Sequence, residues 1–259
     1  MTILHAIILG IVEGLTEFLP ISSTGHLILT ANLLNLQPNQ FLKSFEIIIQ
    51  LGAILAVVFL YIKRILNNKS IFINLIYAFV PTAIIGFLFY KQIKIFLGHN
   101  IIVPIALILG GIIIIIVENN LAKKSINLHS NANLNKSVNK TESFMLGIIQ
   151  TLAFIPGVSR SGAVIIGGLM RGLNRQDLVE FSFMLAIPTM LAATGYDLVK
   201  TGFSFSSNEW LLVLTGFITA FIVALLAIKS FLKFITTHSF TSFGWYRIII
   251  GIVFLFILL

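Results

Sequence analysis

Six stretches of this chain, at about 43–62, 71–91, 101–118, 178–199, 209–231 and 244–259, are each long and apolar enough to cross a hydrocarbon layer of ~30 Å as a single helix. Nothing else in the sequence limits the fold so strongly. Inside a bilayer every backbone N–H and C=O must be paired within the protein, so only helices and closed barrels span it. A barrel would show short segments of alternating polarity, and this sequence lacks them. Composition agrees, with 58% of the 259 residues hydrophobic and only 10% charged, far from the balance of a soluble domain. An all-α polytopic membrane protein is expected.

The same composition closes several other routes. There is no cysteine, hence no disulfide framework, thiolate zinc site or thiol nucleophile. The net charge of +8 does not imply nucleic acid, because the basic residues are scattered over short loops, where they orient a protein in the bilayer. The N-terminus lacks a basic n-region and carries Glu13 and Glu17, so it is read as retained and not as a signal peptide.

Two further apolar regions, about 2–34 and 144–174, are each interrupted mid-course by a polar turn with proline, "FLPISSTGH" and "FIPGVSRSG". Each predicts two helices that dip into the bilayer and return to the same side. Irregular backbone at that depth is tolerated only where it is buried in protein or lines a wet cavity. The two regions also resemble each other. "GIVEGLTEFLPISSTG" from Gly10 lies over "GIIQTLAFIPGVSRSG" from Gly147 at an offset of 137, matching Gly10 with Gly147, Glu13 with Gln150, Ser22 with Ser159, Thr24 with Ser161 and Gly25 with Gly162. The prolines fall one place out of step. A polar stretch at 119–143 separates residues 1–118 from 144–259, so each half reads as one re-entrant helical hairpin plus three transmembrane helices. An odd number of crossings inverts the second copy, and broken helices at matching places in an inverted repeat point to a midplane site.

Loop charge orients this arrangement. One face collects Lys63, Arg64, Lys69, Lys123, Lys124, Lys136, Lys140, Arg171, Arg175, Lys229, Lys233 and Arg247; the other has Lys43, Lys91, Lys94 and Lys200. The richer face is assigned to the cytoplasm. The 119–143 linker is then cytoplasmic, both termini lie outside, and the two hairpins enter from opposite faces to meet in the membrane.

The chemistry sits at the tips. Glu13 and Glu17 are four apart and share a helix face. Unpaired in lipid they are prohibitive, so they need a cation, a proton or a polar cavity. Two close carboxylates with hydroxyls suit a hard divalent ion such as Mg²⁺ or Ca²⁺, although a proton-sharing structural pair fits the same spacing. "PISSTGH" reads as a helix start, with Pro20, a cap at Ser22 or Ser23 and His26 in the first turn. Free N–H groups at such a start attract phosphate. His26 offers an acid, a base or a nucleophile. In "PGVSRSG", Arg160 matches phosphate oxygens with its fork of donors, or else pairs with Glu13 or Glu17. Ser159 and Ser161 add hydroxyls, while Gly157 and Gly162 permit close approach. Two acids, a histidine and an arginine between serines describe a phosphate-ester site better than an ion pore.

"EGLTEFLPISSTGHL" and "PGVSRSG" resemble the two signatures of the undecaprenyl-diphosphate phosphatase family, the bacitracin-resistance membrane phosphatases. The resemblance covers essentially the whole chain. It implies a hydrolase of the bacterial inner membrane that cuts a C55 polyprenyl diphosphate to undecaprenyl phosphate and inorganic phosphate with a divalent cation, renewing the lipid carrier for cell-wall precursors. By resemblance the acidic pair is Glu13 and Glu17, the hydroxyl turn Ser22, Ser23 and Thr24, the histidine His26, and the phosphate grip Arg160 with Ser159 and Ser161. One departure stands out: the family's second motif usually has threonine four residues after the arginine, and here Val164 takes that place. Lower affinity or a replacement water is expected there, with activity retained. The nucleophile stays open between Ser23 activated by His26, His26 itself, and a water activated by a glutamate, with Ser23 and His26 preferred.

The remaining polar residues have plainer readings. Glu46, Glu118, Glu142, Glu180, Asp197 and Glu209 fall near span ends or loops and are read as solvated or snorkelling. His5, His99, His129 and His238 lie near ends without acidic clusters. Trp210, Trp245 and Tyr246 are read as interfacial anchors, and the glycines of "LGGIIIIIVE" as a close helix contact. The alternative function is a transporter or flippase of a polyprenyl phosphate, since inverted repeats with broken helices are also a transporter architecture; a scaffold role leaves the buried charges unexplained. A homo-oligomer is compatible with the sequence. The topology has a direct test: single cysteines at Ser130 and near Met1, introduced into a chain that has none, should label from opposite sides of the membrane. Labelling from one side overturns the inverted arrangement.

Overall fold

The computed structural model describes residues 1–90, 92, 101–127, 136–201 and 205–258. His99, His129, Ser130, Lys91 and Lys94 lie outside the described residues, as do the side chains of Lys124, Asp197 and Lys200. Among the described residues the chain forms α1 (Ile3–Thr16), α2 (Ser23–Leu33), α3 (Gln40–Asn67), α4 (Lys69–Leu88), α5 (Ile102–Asn127), α6 (Lys140–Gln150), a 3₁₀ turn (Thr151–Phe154), α7 (Arg160–Met170), α8 (Arg175–Thr201), α9 (Ser207–Ile235) and α10 (Thr241–Leu258). Six of these, α3, α4, α5, α8, α9 and α10, are long and apolar enough to cross a membrane, and each coincides with one of the six stretches picked out above. The chain is a multi-pass membrane protein.

Starts are set by residues that can satisfy free N–H groups. Asn39, Asn68 and Asn139 cap α3, α4 and α6 with their side-chain oxygens. Ser206 and Glu209 form a reciprocal capping box on α9. The polar stretch 119–143 is not loop throughout, because α5 runs on to Asn127 and α6 begins at Lys140. Lysines and alanine favour helix even in a polar run.

The four short helices are too short to span. At 1.5 Å per residue, α1 reaches about 21 Å and α2, α6 and α7 about 16 Å each. They pack in pairs, α1 with α2 and α6 with α7. Each pair leans on the other half of the chain: α1 lies along α9, and α6 along α4. The long helices pair correspondingly, α3 with α8 and α5 with α10. Gly10 and Gly147 each permit a close helix crossing. A Cβ on Gly10 would lie 2.7 Å from the Gly216 carbonyl, and one on Gly147 would run into the carbonyl of Ala78. Gly110 and Gly111 likewise admit α10, a Cβ on Gly111 meeting Ile248 at 2.9 Å, so these glycines serve helix packing as expected.

Acidic residues read as solvated turn out to be joints. Glu118, 5% exposed, takes both guanidinium nitrogens of Arg175 at 2.7 and 2.9 Å and the Phe240 N–H at 3.1 Å. Arg64 pairs with Glu180. Glu142 is buried and pairs with both Lys136 and Arg171, tying the chain before α6 to the end of α7. The reason is economical: a cation from a neighbouring element keeps the carboxylate ionised once its water is gone.

The Arg171 hydrogen bond, aided by Lys136, holds the Glu142 carboxyl below its usual range despite burial. A depressed native pKa contributes stability that is complete above the ordinary glutamate value of about 4.3 and disappears as pH falls through the lower native value. Thermal unfolding in detergent should therefore be flat from pH 7 to 5 in this respect and fall below it. Glu142→Gln should start lower at pH 7 and lose part of the acid slope; an unchanged slope would show that the clamp is idle.

Candidate active site

Both short-helix pairs turn through residues with left-handed backbone. Ser22 stands at φ 72°, ψ 96° and Gly157 at φ 92°. For serine such a backbone costs of order 1–3 kcal/mol, which only a tightly packed turn sustains. At Gly157 a side chain is excluded outright, since a Cβ would come within 2.9 Å of Val103 Cα and 3.0 Å of Ala106 Cβ. Ser22 and Ser159 then cap α2 and α7, accepting from Gly25 N at 3.5 Å and Gly162 N at 3.1 Å. The cap is Ser22, and Ser23 opens the helix.

The turns meet. Ser159 and Ser161 hydroxyls both donate to the Leu19 carbonyl, at 3.3 and 2.9 Å, and lie 3.0 Å from each other. Two residues expected to grip phosphate thus fasten one turn to the other in this structure. Arg160, between them, reaches across to Glu17, Nη2 to Oε1 3.3 Å, and donates Nη1 to the Ser182 carbonyl at 2.8 Å. Its Nε is buried and unpartnered. The opposite oxygen of Glu17, Oε2, accepts from Ser23 Oγ at 2.5 Å. One carboxylate therefore joins a hydroxyl and a guanidinium from different halves of the chain.

Glu13 sits one turn before Glu17, fully buried, and neither of its carboxylate oxygens has a donor among the described residues. Burial of two adjacent carboxylates is very costly unless a proton or a cation is shared between them. No third His, Cys, Asp or Glu joins them into a larger cluster among the described residues. Thr24 is half-buried in the first turn of α2. Val164 is fully buried in the main apolar cluster, among residues of α7 and α8, a place a hydroxyl would need a partner to occupy.

His26 is brought to the site but not to Ser23. Its Nδ1 lies 2.7 Å from the Ser22 carbonyl, and its Nε2 lies 2.8 Å from the Tyr246 hydroxyl. A carbonyl only accepts, so Nδ1 carries the proton and the neutral ring's lone pair at Nε2 faces Tyr246. The preferred Ser23–His26 dyad is therefore replaced here by Ser23–Glu17. Serine and histidine are three residues apart on one helix, but the hydroxyl bonds the carboxylate across the turn.

Sequence reading missed Tyr246, Arg247 and Ser182. Arg247 was counted with the loop cations; instead it is 2% exposed and donates to four main-chain carbonyls: Pro20 at 3.0 Å, Gly157 at 3.0 Å, Ala106 at 3.1 Å and Leu107 at 3.3 Å. Tyr246, taken for an interfacial anchor, bonds the histidine. The available signal was a permanent charge inside an apolar span, which marks function by default.

Comparison with known proteins converges on one family. The family model described as "Bacitracin resistance protein BacA" matches residues 6–253. A curated relative from Aquifex aeolicus, named undecaprenyl-diphosphatase, is 54% identical over 255 residues, covering 98% of each chain. Proteins of the same name from Persephonella marina and Campylobacter fetus subsp. fetus are 51% and 52% identical, each aligned over 100% of both chains.

The Glu17 geometry makes a ranking of variants. Glu17→Gln keeps the size and still meets Ser23, but it neither accepts a proton nor pairs with Arg160. General-base loss is expected to cost about 10²–10⁴ in rate. His26→Ala should cost less, because the histidine is a step removed from the hydroxyl. Initial rates of phosphate release on purified variants decide it; a His26 variant weaker than the Glu17 variant would restore the histidine as the base.

Proposed function

The chain belongs to the bacitracin resistance protein BacA family, and on that footing we propose that it hydrolyses undecaprenyl diphosphate to undecaprenyl phosphate and inorganic phosphate within a bacterial inner membrane. The observation that carries this reading is the Ser23–Glu17–Arg160 chain of contacts, a hydroxyl, a base and a phosphate-matching cation gathered from both halves of the protein. Its supports are the names of relatives matched over their full length and the cross-half pairing of the helices.

In the proposed reaction the isoprenoid lies among the apolar helices and the diphosphate reaches the two turns. Ser23 Oγ attacks the terminal phosphorus while Glu17 takes the hydroxyl proton. The bond from that phosphorus to the bridging oxygen breaks, and its electron pair leaves with undecaprenyl phosphate. Water then attacks the phosphoserine and the bond from phosphorus to Ser23 Oγ breaks; Glu17 returns its proton to that oxygen, and the protons of the water leave with inorganic phosphate. Direct attack by a water held on Glu17 is the simpler variant of the same chemistry. Arg160 supplies donors to the oxygens on which charge develops, turning from Glu17 or using its unpartnered Nε. Ser22, Thr24, Ser159 and Ser161 line the two helix starts, whose N–H groups favour the anion.

The residues present fit a divalent cation. Glu13 has two buried oxygens without a donor, next to the Glu17 carboxylate, a hard oxygen donor set. Glu13 and Glu17 would hold Mg²⁺ or Ca²⁺, which when bound neutralises phosphate charge.

The finer architecture belongs to the same reading: two re-entrant hairpins, 2–34 and 144–174, in an inverted repeat, with the linker cytoplasmic and both termini outside. Its support is the correspondence of contacts, α1 on α9 matching α6 on α4, and the short lengths of α1, α2, α6 and α7.

Single-turnover phosphate release in detergent tests the function, because no membrane is there to be crossed. Wild type should release phosphate, and chelator should suppress it until Mg²⁺ or Ca²⁺ returns. Arg160→Lys keeps charge but loses the planar fork, and should fall on the order of 10²–10³ in kcat, with Arg160→Ala lower still. Wild type that releases nothing yet moves a lipid phosphate across a reconstituted bilayer would make it a transporter. Chelator-insensitive release would make Glu13 and Glu17 a proton-sharing pair.

A further inference from the structure

The most heavily engaged polar group that the proposed chemistry leaves unused is on α10. Arg247 is an arginine buried in a membrane helix, and among the described residues no carboxylate pairs with it. A guanidinium has five N–H donors. Four hydrogen bonds leave Arg247 for main-chain carbonyls, one from Nε, one from Nη1 and two from Nη2. It is therefore committed to the backbone and not poised for a ligand. The identity of the acceptors is informative. Pro20 and Gly157 each stand two residues before the cap serine of a short helix, Ser22 in one turn and Ser159 in the other. Ala106 and Leu107 belong to α5, against which α10 packs.

Tyr246, the residue before it, holds the histidine. The Tyr246 hydroxyl is 2.8 Å from His26 Nε2, and the two rings lie parallel, 4° apart with centroids 5.6 Å apart. The Ser22 carbonyl occupies the other ring nitrogen. With Nδ1–H given to that carbonyl, the tyrosine donates to Nε2, so both the tautomer and the ring plane are fixed from two sides. A packing role alone would need neither a guanidinium nor a hydroxyl at these places; leucine and phenylalanine fill such gaps without the cost of burying a polar group.

We propose that Tyr246 and Arg247 are positioning residues for the hydrolytic site, Arg247 locking the two cap turns into one rigid unit and Tyr246 fixing the orientation of His26 within it. The proposal rests on the phosphatase reading above. Its physical sense is the distance tolerance of phosphoryl transfer. Ser23 and Glu17 belong to the first turn region and Arg160 to the second, so nucleophile, base and cation keep their spacing only if the turns do not slide. A displacement of about 1 Å costs as much as ~10² in rate. Four hydrogen bonds from one planar group, rooted in α5 as well as in both turns, oppose such sliding in more than one direction. Lysine has a point charge on a flexible stem and cannot bridge four acceptors at once.

The test uses purified full-length protein in detergent, with kcat and KM for undecaprenyl diphosphate and thermal unfolding measured on the same samples. Arg247→Lys should lower kcat about 100-fold while KM moves less than about threefold and the protein stays folded at the assay temperature. Tyr246→Phe deletes one oxygen and keeps the ring stack, so it should fold as wild type and lose about tenfold in kcat, the worth of one buried hydrogen bond. Tyr246→Leu should be no better than Tyr246→Phe. Wild-type kcat in Arg247→Lys overturns the locking role, and wild-type kcat in Tyr246→Phe overturns the orienting one. A loss that falls on KM alone, with kcat intact, overturns both in favour of substrate contact. If Arg247→Lys does not fold, Tyr246→Phe still decides whether α10 acts on the site. A wild-type sample that releases no phosphate at all is a failure of the phosphatase reading instead, and is distinguished by that control.

Discussion

A break between two helices that is buried in protein strands N–H and C=O groups that must be satisfied from within the chain. The structure answers this demand at both turns with local serine caps and with side chains taken from elsewhere in the chain, and much of its organisation follows. Ser22 and Ser159 absorb N–H groups of the two helix starts. Ser159 and Ser161 serve the Leu19 carbonyl, and Arg247 serves those of Pro20 and Gly157. The serine caps are local, whereas the repairs to the carbonyls cross from one element to another. Satisfying the backbone and assembling the site are thus one operation, since the donors that complete the first turn come from the second turn and from α10.

The same economy governs charge. Arg160 shares Glu17 with Ser23, so a buried cation is neutralised by the group that the proposed chemistry needs ionised. Away from the centre, Glu118 with Arg175 and Glu142 with Arg171 and Lys136 repeat the pattern at the helix ends. Such pairs contribute little net stability over apolar residues of equal volume, but losing one partner is expensive. They specify which helix ends meet more than they strengthen the meeting. Glu13 departs from the pattern, its buried carboxylate oxygens having no donor among the described residues, and that departure marks it chemically.

Much of this was legible in the sequence because it depends on local signals. Six spans follow from apolar length, and the two interrupted regions from proline with clustered hydroxyls, so Glu13, Glu17, Ser22, Ser23, His26, Ser159, Arg160 and Ser161 were singled out from the sequence, and the structure gathers them around the two turns. What escaped was anything decided by which helix lies beside which. Arg247 near the start of its span looks like a loop cation until α5 and both turns close around it. Tyr246 looks like an interfacial anchor until His26 is seen opposite. The partner of Ser23 was misjudged for the same reason: histidine is its neighbour on the helix, whereas Glu17 returns to it only through the geometry of the turn. Glu118 and Glu142 appeared solvated because their cations come from other elements.

The position of Arg247 along the chain also bears on biogenesis. A ribosome delivers Pro20 and Gly157 long before it delivers Arg247. Until α10 is inserted, the carbonyls it will bind have lost that partner, and the earlier helices enter the membrane with an unfinished centre. Fastening of the two turns therefore waits on α10. A chain interrupted before α10 would hold its acids, hydroxyls and Arg160 but lack the one donor that the carbonyls of Pro20, Gly157, Ala106 and Leu107 share.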